Sequence, residues 1–340
     1  MGTILEQVLK EHAFPGAVWK VYCGDKLLFQ ESAGTLTYES DKPVTMGTRF
    51  DLASVTKPFV STAVLILAAQ GLIDLDAPAA SYLEQMRYGE MAAITIKELL
   101  LHTAGLFSDP ELHKDYPQKE HLLKQMFQRP LITAPAQKVS YTSIGYIFLG
   151  LIIERVSGLS LDQYLQKSLF EPLGLKTICF LPRDKANIAP TEFSVFRQRL
   201  LVGEVHDDNC YLLGGVCGHA GLFSDATDVA LFGKALLDDS DVLMPRRWKE
   251  YLFTNYTPGM EQERSCAFVV NNKMFGSWEC DTFSHNGFTG TSIFLAPKKK
   301  IVSVLLTNRV CPSRDNEKID DVRLRLHTWL KDQVRGRDYE

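Results

Sequence analysis

Ser54-Val55-Thr56-Lys57-Pro58-Phe59-Val60-Ser61-Thr62-Ala63-Val64-Leu65-Ile66-Leu67-Ala68-Ala69-Gln70-Gly71 is the stretch on which the fold turns. It contains few residues that break a helix. Its one proline, Pro58, falls in the first turn, where the missing N–H costs nothing. From Val60 to Ala69 the run is almost continuously apolar, so the helix has no polar face to give to water. Such a helix must be surrounded by other elements, which places it in the middle of the protein. Its N-terminus, near Ser54, then forms a natural floor for a cleft.

Outward from this helix the pattern divides in two. Residues 3–12 read as a helix ending before Phe14-Pro15-Gly16, and residues 17–22 and 27–33 as a hairpin around Gly24-Asp25. From Asp74 to about Ser240 the pattern is mainly helical, clearest at 96–102, 119–127, 143–156 and 161–170. Strand signals return at 267–271, 292–296 and 301–307, and a helix over 316–334 closes the chain. The expected class is α/β (α+β): an antiparallel sheet flanked by helices, built from residues 1–75 and 225–340, with an all-helical domain inserted at 76–224. The active-site cleft is expected between the two.

Composition narrows the function. The 340 residues carry 37 Lys+Arg against 41 Asp+Glu, a formal charge of −4, with 45% hydrophobic residues. This describes a chain able to bury a sizeable core, and excludes disorder. The longest run of like charge is Lys298-Lys299-Lys300, so neither nucleic acid nor an anionic membrane is an expected partner. The seven cysteines are scattered and never spaced Cys-x-x-Cys, which suggests a reducing compartment rather than a disulfide framework or a zinc ribbon. Glu6, Lys10 and Glu11 interrupt the N-terminus where a signal peptide needs an apolar stretch, and no run of 18 apolar residues occurs. The expectation is a cytoplasmic protein, or a secreted or periplasmic one if a signal peptide was removed.

Ser54-x-x-Lys57 puts a hydroxyl and an ammonium on one helix face, a turn apart. A serine becomes nucleophilic when a nearby base takes its proton, and the helix N-terminus favours a developing oxyanion. By itself the tetrapeptide has a plainer meaning, since serine near a helix start is usually a cap. Tyr141-Thr142-Ser143 precedes another helix, and its phenol could shuttle a proton to the leaving group. It could equally be packing at a helix start. His285-Asn286-Gly287-Phe288 precedes a strand, and its glycine would let backbone approach a substrate and leave the next amide as an oxyanion donor. An ordinary turn before an edge strand reads the same way.

Gly203 to Gly221 holds His206, Asp207 and His219 in glycine-rich sequence. They could line the pocket and hydrogen-bond a sugar or peptide, or satisfy backbone groups in loops. Their spacing matches no metal-ligand pattern, so no metal site is expected. His102 reads as structural, and Cys217 as a small buried hydrophobe.

Several ordered stretches together resemble the serine β-lactamase and penicillin-binding-protein superfamily, in its class C branch with esterases and peptidases. They are Phe14-Pro15-Gly16-Ala17, Phe50 to Lys57, Ile94 to Leu106, Gly145-Tyr146 to Gly158, Phe170 to Leu175, and Gly218 to Ser224. The resemblance implies Ser54 as acylated nucleophile, Lys57 as its base, Tyr141 as proton shuttle, and the amides of Ser54 and Phe288 as oxyanion hole. It implies attack on an amide or ester carbonyl without metal or cofactor. His285 stands where many members carry lysine, which removes a fixed charge for a substrate carboxylate. Ser143 stands where asparagine is common, which changes contacts to a substrate amide. Ser143, His285, Asn286, Gly287, His206, Asp207 and His219 are the candidate substrate-binding residues. Gly203 to Asn209 with Gly214 to Gly221 also looks like the segment of bacillus-type exo-acting N-acetylmuramyl-L-alanine amidases. The leading expectation is therefore a serine hydrolase of muramyl-peptide amides, acting on small acyl substrates or peptidoglycan fragments. A carboxylesterase or transacylase is the alternative, and a penicillin-recognising binding protein with little turnover is another.

Overall fold

Thr3 opens the first helix (Ile4–Lys10) with a reciprocal cap: its hydroxyl accepts from the Glu6 amide, and the Glu6 carboxylate accepts from the Thr3 amide. This is the first element of a computed structural model that describes residues 3–335. The hairpin strands Gly16–Cys23 and Lys26–Gly34 follow. They join strands from the other end of the chain in a six-stranded antiparallel sheet. Its order is Lys26–Gly34, Gly16–Cys23, Ile301–Thr307, Ser292–Ala296, Phe283–Asn286, Val269–Val270. Side chains alternate across it as the pleat requires. Ala17, Trp19, Val21, Phe294 and Leu305 pack under the first and last helices, the latter spanning Ile319–Val334. Val18, Ile293, Leu295, Val302, Val304 and Leu306 face the larger core on the other side.

That larger core surrounds the expected central helix, Thr56–Ala69, in which every residue but Ala69 is buried. Phe59 stacks on Phe232 at 3.8 Å between ring centroids and meets Phe170 edge-on at 6.2 Å. The helix's few hydroxyls are satisfied internally. Ser61 Oγ pairs with Tyr146 Oη at 2.9 Å, and Thr62 Oγ1 donates to the Pro58 carbonyl at 2.8 Å.

The structure corrects three expectations. The inserted block carries the helices Ile96–Leu101, Lys119–Gln128, Ile144–Ser157 and Leu161–Leu165, but it is not all-helical. Cys179–Phe180 and Leu222–Ser224 form a small sheet with Phe50–Asp51, and Phe193–Ser194 pairs with Arg199–Leu200. In place of helical bonds, the backbone at residues 176–178 is held by the Asp228 carboxylate, which accepts from all three amides. The strand expected over 267–271 is only Val269–Val270. Finally, Phe283–Asn286 is itself a strand, so Ser292–Ala296 lies inside the sheet rather than at its edge. The polar pair His285-Asn286 hides that strand from a hydrophobic-pattern reading.

Candidate active site

The small sheet carries the chain from Asp51 into Ser54. Asp51 is buried, and its carboxylate accepts from the amides of Ala53 (2.8 Å) and His206 (2.6 Å). Burial raises its pKa, against the pull of those two amides. Ala53 takes a left-handed backbone, φ +45°, costly for a residue with a Cβ and held here by the bond to Asp51. A tight helical turn, Ala53–Val55, then leads into Thr56–Ala69 and presents Ser54 at the end of the buried helix.

Lys57 Nζ donates to Ser54 Oγ at 2.9 Å and to the His219 carbonyl at 3.2 Å, and the whole side chain is buried. Tyr141 Oη donates to Ser54 Oγ at 2.8 Å from the opposite side, with Lys57 Nζ 4.9 Å from the centre of its ring. The three candidates brought together by spacing and resemblance thus meet at one oxygen. Burial pushes the Tyr141 pKa up. The charge of Lys57, hydrogen bonds with Lys57 and Ser54, and the charge of Arg264 outweigh it, so the phenol titrates below its ordinary value.

Tyr141 is fixed from behind. Thr142 donates its amide to His102 Nδ1 (3.2 Å) and its hydroxyl to the Phe107 carbonyl (2.7 Å). The His102 ring lies between Tyr141 and Tyr146, at 4.5 and 5.0 Å. Burial, then the charges of Arg264 and Lys57, hold His102 well below the usual histidine range, so Nδ1 stays an acceptor. His102 is structural, as expected.

The loop after Phe283–Asn286 is pinned to the backbone that precedes Ser54. Thr289 Oγ1 donates to the Asp51 carbonyl (2.7 Å) and Thr291 Oγ1 to the Leu52 carbonyl (2.9 Å). Gly287 sits in the contact: a Cβ there would come within 2.1 Å of Thr291 Oγ1 and 2.5 Å of the Leu52 carbonyl. Phe288 is fixed by Arg309, whose Nε donates to its carbonyl (2.9 Å) and whose guanidinium lies 4.6 Å from its ring centre. His206 also stacks on the Phe288 ring, at 5.5 Å between ring centres. The segment bearing the Phe288 amide is therefore tied to the turn bearing the Ser54 amide.

These residues open on a cleft of about 1410 Å³. Ser54, Tyr141, Ser143, Asn286, Gly287 and Phe288 line it, as do His206 and Asp207. His285 also lines it, although nearly buried. Burial first, then the charges of Arg264 and Lys57, push its pKa well below the histidine range, so it supplies no positive charge in lysine's place. His219 is a correction. It does not line the cleft but lies beneath it, with Nε2 3.0 Å from Asp207 Oδ1 and its carbonyl on Lys57. Burial opposes its charge, yet Asp207 raises the pKa to about 9. Asp207 falls well below the carboxylate range, since the His219 charge and hydrogen bond overcome its own burial. Asp207 is committed to this pair and to capping the Cys210 amide (2.7 Å).

Two lining residues escaped sequence reading. Glu192 joins His206 Nε2 (3.2 Å) and Arg314, and these partners outweigh its burial to bring it to about 2. Arg264 is fully buried beside Tyr141. Neither sits in a motif, and only the folded chain brings either to Ser54.

The family model described as Beta-lactamase matches residues 2–327. The chain belongs to the Beta-lactamase family. A protein of Escherichia coli (strain K12) named as a D-alanyl-D-alanine carboxypeptidase is 29% identical over 346 aligned residues, covering 88% of this chain and 80% of that one. Among solved structures, EstCE1, described as a hydrolase with promiscuous acyltransferase activity, superposes with a TM-score of 0.77. It is 21% identical, with 94% of this chain and 96% of that one covered. An octameric penicillin-binding protein homologue from Pyrococcus abyssi gives 0.78 at 22% identity, over 96% of this chain and 76% of that one. This member of the serine β-lactamase and penicillin-binding-protein superfamily is a serine hydrolase. The two structural likenesses bear on fold alone.

Proposed function

We propose that this hydrolase cleaves a muramyl-peptide amide of the N-acetylmuramyl-L-alanine type through an acyl-Ser54 intermediate. Tyr141, as the phenolate held beside the Lys57 ammonium, takes the Ser54 proton as Oγ attacks the carbonyl carbon. The amides of Ser54 and Phe288 receive the oxyanion. Tyr141 returns the proton to the departing amine as the C–N bond breaks, and water then releases the acyl group by the reverse route. The observation that carries this reading is the convergence of Lys57 Nζ and Tyr141 Oη on Ser54 Oγ, at 2.9 and 2.8 Å. The large cleft, with Glu192, His206, Arg309 and Arg314 on its walls, supports a polar substrate such as a peptidoglycan fragment.

A second reading, esterase or transacylase, draws support from a different feature. His285 brings no fixed charge, and Phe288, Phe193 and Phe196 leave exposed aromatic surface at the cleft, suited to an uncharged acyl group. Product analysis with muramyl-L-alanine peptides and short acyl esters separates the two. Release of muramyl sugar and free peptide, abolished in Ser54→Ala, is the expected result. Ester turnover alone would transfer the assignment to the esterase. Ligand binding without turnover of any substrate would leave a penicillin-recognising binder.

A further inference from the structure

Arg264 has a guanidinium that is wholly buried, yet no carboxylate among the described residues meets it. Its Nη1 donates to Gln262 Oε1 at 2.7 Å, while Nε and Nη2 have no hydrogen-bond partner among the described residues. A buried charge left in this state is expensive and persists where it has a use. The acidic groups whose charge it would favour are two phenols, Tyr146 and Tyr141. Its Cζ lies 5.7 Å from the centre of the Tyr141 ring. Tyr146 keeps its proton, because its hydroxyl donates to the Leu100 carbonyl at 3.1 Å deep in the core. Tyr141 instead directs its hydroxyl to Ser54, in the cleft.

We propose, on the reading of Tyr141 as proton shuttle, that Arg264 is its positioning residue: a fixed positive charge, set behind the ring, that stabilises the phenolate able to accept the Ser54 proton. The groups facing Tyr141 from each surrounding element agree with this. Lys57 comes from the core helix and Arg264 from the loop before Val269–Val270. Neutral His102 follows Ile96–Leu101, neutral His285 lies on Phe283–Asn286, and Tyr146 is on Ile144–Ser157. His219, the other cation nearby, is matched by Asp207. Among the described residues facing Tyr141, Lys57 and Arg264 are thus the two cations left for one phenolate, and Lys57 is shared with Ser54.

Two readouts test this. Ultraviolet difference titration of intact protein follows phenolate formation without needing turnover. The wild type is expected to show one tyrosine ionising below the rest, a component missing from Tyr141→Phe. In Arg264→Gln that component should rise by about one to two pH units, and in Arg264→Lys by much less. The second readout is the pH profile of kcat/KM on an uncharged p-nitrophenyl ester. Its acid limb should move upward in Arg264→Gln, with turnover at neutral pH falling roughly 10- to 100-fold, and recover in Arg264→Lys. An unmoved Tyr141 titration and acid limb in Arg264→Gln would overturn the proposal. So would a loss confined to KM for a carboxylate-bearing substrate such as a penicillin, which would make Arg264 a substrate anchor. Should Arg264→Gln not fold, Arg264→Lys still decides, since loss of the low-pH component despite a retained charge counts against it. Turnover persisting in Ser54→Ala would instead break the underlying active-site reading, and the titration would still report on Arg264.

Discussion

Gly287→Ala tests whether the tie between two backbone segments is what makes the oxyanion site. The added methyl would stand 2.1 Å from Thr291 Oγ1, 2.5 Å from the Leu52 carbonyl and 3.4 Å from Ala53 Cβ. Thr291 can rotate away, but only by giving up its 2.9 Å bond to the same carbonyl. The Leu52 carbonyl cannot rotate, because it belongs to the strained turn that sets Ser54. Restoring an ordinary contact of 3.4 Å therefore needs a shift of about 0.9 Å between the loop and that turn. A displacement of this size takes the Phe288 amide out of reach of an oxyanion. The loss of one such donor costs about 10²- to 10³-fold in kcat, or roughly 3–4 kcal/mol. Overpacking adds an independent loss of stability of about 1–3 kcal/mol. Steady-state hydrolysis of a short acyl ester and denaturant unfolding measure the two effects. The expected pattern is a collapse of kcat with a modest change in KM. A kcat within twofold of wild type would refute the reasoning, since the methyl would then have been absorbed without moving the donor.

Lys57→Met is expected to lower kcat by about 10²- to 10⁴-fold while leaving stability unchanged or improved, because it replaces a buried ammonium with an apolar side chain of similar length. Ester kinetics and the thermal midpoint check both halves, and marked destabilisation would show that Lys57 is structural. A third outcome concerns pH. His102, His285 and His327 are kept neutral chiefly by burial, the last at about 3, whereas in the unfolded chain each takes a proton near 6.5. The unfolded state then binds more protons, so stability should fall as pH drops below about 6.5, by up to roughly 1.4 kcal/mol per pH unit for each histidine. His219 acts oppositely. Its contribution is complete below 6.5 and lost as pH rises through about 9. His327 lies on the far side of the sheet, against Trp19, Phe275 and Phe294, so His327→Gln should flatten the acid slope without touching the site. Urea titrations between pH 7 and 5 measure the slope, and an unchanged slope in that variant would contradict the assignment.

The parts of the fold legible in sequence were those whose hydrophobic pattern is locally complete. The run from Val60 to Ala69 reads as an encased helix, and the hairpin as two apolar-rich runs on either side of the Gly24-Asp25 turn. Ser54 and Lys57 were legible as a pair one helical turn apart, but the spacing alone also fits a helix cap, and it took the ordered stretches around them to single the pair out. Other features depend on partners far away in sequence. Phe283–Asn286 is a strand because Val269–Val270 and Ser292–Ala296 pair with it, not because its own residues announce one. His219 looked like a pocket residue until the fold turned it inward onto Asp207. Arg264, in Arg264-Ser265-Cys266, carries no local signal, and only its burial without a counter-ion marks it out.

The central claim is that Ser54 becomes covalently acylated, and intact-protein mass spectrometry tests it most directly. Wild type and Ser54→Ala would be exposed in parallel to an activated serine probe, a penicillin and muramyl-L-alanine peptides. The expected result is a single adduct on the wild type, localised to Ser54 by peptide mapping and absent from Ser54→Ala. An adduct of equal yield on Ser54→Ala, or turnover that survives that substitution, would contradict the account.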